Sequence, residues 1–216
     1  MQVPTAHSEP HMDKSAAPAP DVPADTVKRS IVQTALGLAE EAGSWDAVHV
    51  HAVAREAGIS LEELRRYFGD KDAIAEGYFD IADAALLAVC REPEWGELAI
   101  RERLYRAVMA WLDALAPHRG LALEMLLYKF HPEHLHLQAR GIARISRTAQ
   151  WIREVAMLPS VGWRRELEEA AITTMYLTTF SCWLTDKSAG AERTRRLLKR
   201  LLATAEQGAL WLGHRT

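Results

Sequence analysis

Apolar residues recur at helical spacing in block after block along this chain, and the blocks are separated by Gly, Pro and Asp. Val27, Ile31, Ala35, Leu38 and Ala42 lie three or four residues apart, which predicts an amphipathic helix beginning near Asp25-Thr26 and ended by Gly43. Val50, Val53, Ala54 and Ala57 repeat the pattern over a shorter span. Gly58 stops this second helix because only Gly takes φ > 0 cheaply, and Ser60 caps a third. Gly69 closes the third helix, and Asp70 caps a fourth that carries Ile74, Tyr78, Ile81, Ala85 and Leu86 as far as Cys90. Beyond Pro93 the spacing predicts helices over about 98–116, 121–130, 135–157, 164–185 and 191–212. Pro117, His131-Pro132, Pro159 and the segment 186–190 separate them. No alternating strand pattern accompanies them, so the chain reads as all-α. An N-terminal three-helix unit over residues 25–70 is joined by a linking helix to a C-terminal helical bundle within 71–216. Residues 1–24 hold five of the nine prolines, with Ala, Ser and His between them. Such a segment cannot build a core and is expected to be a disordered tail.

The second and third helices, joined by so tight a turn and cornered by Ile59 and Leu64, form the helix–turn–helix of a major-groove reader. The first turn of the would-be recognition helix nevertheless carries Glu62 and Glu63, where a helix laid against phosphates should not be acidic. Charge distribution sharpens the conflict. Net charge is −3; residues 24–80 hold 6 Lys/Arg against 11 Asp/Glu, and residues 91–216 hold 19 against 14. The half expected to read DNA is the acidic one, the reverse of a tight non-specific DNA binder. Cys90 and Cys182 are two isolated thiols, which points to a reducing compartment without a disulfide framework. Neither a transmembrane stretch nor a hydrophobic or Arg-rich leader stands out, so a cytoplasmic location is expected.

The order of helices, together with "IVQTALGLAEEAG", "AREAGIS" and "LRRYFGDKDAIAEGYF" between Ile31 and Phe79, resembles the TetR/AcrR family of dimeric one-component repressors. The last motif is similar to the family pattern in which an aromatic pair ends the recognition helix and a Lys opens the next. The resemblance implies a DNA-binding regulator acting as a homodimer on a palindromic double-stranded operator. It also implies a C-terminal domain that binds a small apolar or amphipathic ligand and dimerises through the last two helices. Within the family, Leu61 corresponds to Lys or a small polar residue, Glu62 to Gly or Ala, Glu63 to Thr or Ser, and Arg65 to Tyr. His49 and His51 stand where Thr and Arg are frequent.

The expected DNA-contacting residues are His49, His51, Ser60, Leu61, Glu62, Arg65, Arg66, Tyr67 and Lys71. Ser60 and Glu63 spell a capping box, which occupies helix N-terminal donors that would otherwise meet a phosphate. Glu63 either serves this cap or accepts from cytosine N4. Arg65 and Arg66 either join an i,i+3 and i,i+4 ion-pair lattice with the two glutamates, or grip phosphates and read guanine. Lys71 opposes the helix dipole at a helix N-terminus, which favours a phosphate contact. His49 and His51 read either as phosphate donors or as two exposed histidines.

Trp111, Met125, Trp151 and Tyr176 either pack the bundle core or, as the resemblance implies, line a ligand pocket, and Arg144 or Arg147 facing inward would point to an anionic or acyl ligand. His131, Glu133, His134 and His136 lack metal-ligand spacing and read as a polar helix junction. No nucleophile–base pair or phosphate-cradling Gly loop appears, so neither catalysis nor a cofactor is expected. The final helix is basic and amphipathic: Arg193, Arg195, Arg196, Lys199 and Arg200 interleave with Leu197, Leu198, Leu201 and Leu202. The family resemblance places these leucines in the dimer interface. An alternative lays this helix on an anionic membrane. That alternative is a lipid-binding, membrane-associated accessory protein of the ubiquinone-biosynthesis type, on the same fold with DNA binding lost. The segment 178–202 looks somewhat like it.

Overall fold

The computed structural model describes residues 23–129 and 135–213, with the side chains of 128–129, 135–140 and 208–213 left aside. Among these residues the chain is all helix and turn, without a strand. The elements are α1 (Ala24–Ala42), α2 (Val50–Glu56), α3 (Leu61–Tyr67), α4 (Lys71–Ala88), α5 (Ile100–Leu115), α6 (Arg119–Lys129), α7 (Leu135–Val155), α8 (Trp163–Thr185) and α9 (Glu192–Gly213). The helix-forming blocks of the sequence are thus all found, with ends moved by a few residues. The proposed tail, the His131–His136 cluster and the 210–212 side chains fall outside the described residues.

Three helices make the head. One face of α1 buries Ile31, Val32, Ala35, Leu36 and Ala39, and Gly43 ends it at φ 73°. Burying such a face stabilises by about 25 cal/mol per Å² of apolar surface removed from water, which is why the 3.6-residue spacing is so legible. Val53 and Ala54 of α2 and Leu64 of α3 close the head's core.

From the head, α4 runs into the bundle and packs on both α1 and α5. Gly77 permits the first contact. A Cβ built there would lie 2.9 Å from both Phe68 Cε1 and Val32 Cγ2. Gly77→Ala would gain about 1 kcal/mol of helix propensity. The overpacking it forces costs about 1–3 kcal/mol. We therefore expect net destabilisation, read as a lower midpoint in urea. A variant as stable as the parent would mean that Phe68 and Val32 can withdraw freely.

Within the bundle, Trp111, Leu112 and Leu115 of α5, Ile152 of α7, Trp183 of α8 and Leu198 of α9 are fully enclosed. Leu198 and Leu202 are buried within their own chain, while Leu197 and Leu201 are half-buried. This corrects the expectation that all four leucines face a dimer partner or a membrane. The physical reason is that α9 packs on both α8 and α5, which takes its most apolar stripe inward.

Asp186 organises the turn into α9. It is 3% exposed and accepts from Ser188 N at 2.9 Å, Ser188 Oγ at 2.6 Å, Thr194 N at 2.8 Å and Thr194 Oγ1 at 2.7 Å. Desolvation alone would raise its carboxyl, but the Ser188 and Thr194 bonds outweigh it and hold the group well below its ordinary 3.8. A carboxylate depressed in the folded state contributes stability that is present above the unfolded value and is lost as pH falls through the folded one. Stability should therefore decline below about pH 4. Asp186→Asn should flatten that decline while lowering stability at neutral pH. Parallel acid profiles, followed by circular dichroism, would take Asp186 out of the acid response.

Candidate nucleic-acid interface

The turn between α2 and α3 is built as the sequence predicts. Gly58 sits at φ 69°. Ile59 N donates to Ala54 O at 3.0 Å and Gly58 N to Arg55 O at 3.2 Å, which satisfies carbonyls at the end of α2. Ser60 Oγ accepts from Glu63 N at 3.0 Å. Among the described residues only this half of the capping box forms. Leu64 is 1% and Phe68 7% exposed, and this burial sets the rotation of α3. Leu61, Glu62, Arg65 and Arg66 consequently face outward. Leu61 is 54% exposed, a large apolar group offered to solvent at the tip of the head.

Charges on this face are unequally committed. Arg66 Nη2 donates to Glu62 Oε1 at 2.9 Å, an exposed i,i+4 pair worth a few tenths of a kcal/mol. Arg65, one position earlier, is exposed and has no ion-pair partner among the described residues. At the start of α2, His49 and His51 stack with ring centroids 5.4 Å apart, both exposed.

Two of the expected contact residues are held differently. Lys71 is half-buried; its Nζ donates to Asp46 O at 2.9 Å and lies 5.4 Å from the Trp45 ring centroid. Desolvation lowers its pKa, with Asp46 and Asp72 acting in the opposite sense. Its charge therefore ties the α1–α2 loop to the start of α4. Tyr67 is half-buried and turns toward a cleft between α1 and α4.

The acidity of the N-terminal half also acquires a location. Glu76 and Asp80 pair with Arg144 of α7, Glu40 Oε1 lies 2.6 Å from His118 Nδ1, and Asp70 accepts from Ala73 N at 2.7 Å to cap α4. Four of the eleven acids of residues 24–80 are thus engaged against the bundle or in a helix cap. Glu62 and Glu63 are the acids on α3 itself.

Contacts that the sequence did not disclose join head and bundle. Glu124 Oε2 of α6 accepts from Trp45 N at 2.8 Å, and His118, beside α6, holds Glu40. Asp83 on α4 accepts from Trp111 Nε1 at 2.7 Å and Thr148 Oγ1 at 3.1 Å, connecting α4, α5 and α7. Tertiary partners dozens of residues away define these roles, so no local pattern marks them.

In the bundle, Trp111 meets Tyr176 edge-to-face at 5.2 Å and Phe180 at 5.3 Å, and Met125 is buried. Trp151 is not with them. The buried face of α7 carries Arg144, Thr148, Ile152 and Val155, and position 151 lies at its edge, beside Val155. Trp151 is 42% exposed and borders a surface groove with Cys90, Pro93 and Met157. Of the two arginines, Arg144 is inside but paired to acids of α4, and Arg147 is exposed.

Neither a family model nor a curated protein matches this chain. Solved structures do. The chain is 38% identical to a TetR transcriptional regulator from Nitrosomonas europaea, over 84% of this chain and 99% of that one, with a TM-score of 0.74. TetR regulators from Rhodococcus sp. RHA1 and Streptomyces coelicolor share the fold. The first is 17% identical over 84% of this chain and 94% of its own, at TM-score 0.62. The second is 21% identical over 85% of each chain, at TM-score 0.56. No helix among the described residues is long and apolar enough to cross a membrane, and none of these findings supports the lipid-protein alternative. With a helix–turn–helix of this geometry and a relative this similar along nearly its whole length, the chain belongs to the TetR family of transcriptional regulators.

Proposed function

We propose that this protein is a homodimeric regulator that lays α3 of each subunit in the major groove of a palindromic operator, and that a small ligand in its C-terminal domain alters that grip. The outward face of α3 carries the reading: Leu61, Glu62, Arg65 and Arg66 project from a helix fixed by Leu64, Phe68 and the Gly58 turn. Arg65 is the uncommitted cation for guanine or phosphate, and Glu62 suits a cytosine amino group. His49 and His51 flank the groove-facing helix as backbone contacts. Dimerisation runs through α8 and α9. The exposed side of α8 begins with Trp163 and Leu167, 64% and 53% exposed, and continues through small Ala170, Ala171, Thr174 and Thr178. Such a strip lets a second helix approach closely while covering the apolar end. The Trp45–Glu124 and Glu40–His118 contacts connect the bundle's state to the head.

The test is selection of bound duplexes from a random pool at two salt concentrations. Enrichment of a palindrome that weakens with salt but stays selective is the expected result. Failure to retain duplex even at low salt would overturn the reading.

A further inference from the structure

A cleft of about 650 Å³ lies where head meets bundle, bordered by α1, the end of α3, α4 and α7. Sites for small organic molecules have volumes of this order. Both α1 and α7 pack against α4. Lys28 and Arg29 on α1 and Arg147 on α7 border the cleft, and among the described residues none of the three has a hydrogen-bond or ion-pair partner. Between them lie apolar groups, Val32, Phe68 and Ile81. The acids on the α4 side, Glu76 and Asp80, are engaged by the buried guanidinium of Arg144, and Arg147 adds a weaker attraction to Asp80 without bonding it. What remains uncommitted is three cations from two different helices against one acid, Asp25 at the start of α1, so the balance of free charge is positive. Like charges gathered around an open cleft repel one another, and an anion placed among them converts that repulsion to attraction.

We infer that this cleft binds a small amphipathic organic anion, whose charged group is held by Lys28, Arg29 and Arg147 while its apolar body lies on Val32, Phe68 and Ile81. The site is separate from the aromatic centre of the bundle. Its occupant touches α1 of the head and α7 of the bundle together, and so fixes the angle at which α3 is presented. Binding itself does not depend on the DNA reading; only this consequence rests on it.

The test uses the full chain and two fluorescent probes, anilinonaphthalene sulfonate and its uncharged counterpart phenylnaphthylamine, without DNA. Saturable sulfonate binding at one site per chain is expected. Arg147→Ala should weaken it about tenfold or more, as loss of a charged hydrogen bond does. That substitution should leave the uncharged probe unaffected. Ala84→Trp, at an exposed position bordering the cleft, should abolish sulfonate binding by filling the space without altering a charge. Melting curves verify that both variants are folded. Sulfonate affinity unchanged in both variants would overturn the inference. Loss in both would support it even if operator binding fails, so the two readings fail separately.

Discussion

Replacing Arg144 with Ala is expected to lower the stability of the fold by about 3–5 kcal/mol, the usual range when one partner of a buried ion pair is removed. For a chain of this size that is a fall in melting temperature of about 6–20 °C. The side chain of Arg144 is 9% exposed; it lies 2.9 Å from Glu76 Oε2 and 3.6 Å from Asp83 Oδ2, and it also bonds Asp80. Three carboxylates on successive turns of α4 share this one guanidinium, and Asp83 also accepts from Trp111 and Thr148. Asp80 is already raised: desolvation is the main cause, Arg144 opposes it, and Asp83 and Glu76 add to it. An acid whose folded-state pKa is raised makes the fold lose stability as pH rises. Removal of Arg144 takes away the charge that opposes this rise and pushes Asp80 further up, so the deficit should be larger at neutral pH than in mild acid. Arg144→Met restores the stem's packing but not the charge, and should show the same pH dependence. A deficit independent of pH in both variants would identify packing, rather than charge, as the role of Arg144.

On the DNA side, Arg65→Ala is expected to cost about 1–3 kcal/mol of operator affinity and to relax preference at one base pair. Arg66→Ala should cost less, because Glu62 already competes for that guanidinium at 2.9 Å. Glu62→Gln removes the competitor. It should steepen the dependence of log affinity on log salt by about 1, the signature of one added phosphate contact. Titrations of the selected duplex at several salt concentrations measure all three. An unchanged slope in Glu62→Gln together with unchanged affinity in Arg65→Ala would remove this face of α3 from the interface.

Local signals carried the reading of the helices because the physics involved is local. Gly58 and Gly43 mark left-handed turns at φ 69° and 73°, and Ser60 and Asp70 cap helices through backbone amides three residues on. The outward placement of Leu61, Glu62, Arg65 and Arg66 follows from the burial of Leu64, which the sequence already placed in the corner, and of Phe68. The resemblance of the same segment to TetR regulators held for the same reason: its motif consists of turns, caps and core spacing.

Roles set by distant partners were not legible. Net charge suggested an acidic face toward DNA, whereas Glu40, Glu76 and Asp80 answer to His118 and Arg144 in the bundle. Trp151 and Trp111 are alike as residues, yet the elements packed around them leave one 42% exposed and enclose the other. Lys71 opens α4 as the motif requires, but Asp46 and Trp45 claim its ammonium. Helix positions and caps therefore came from the order of residues alone, since each depends on neighbours within one or two turns. Which charges stay free to meet DNA or a ligand was decided only by tertiary packing, because a charge is neutralised by whatever lies within a few ångströms, however far away in the chain.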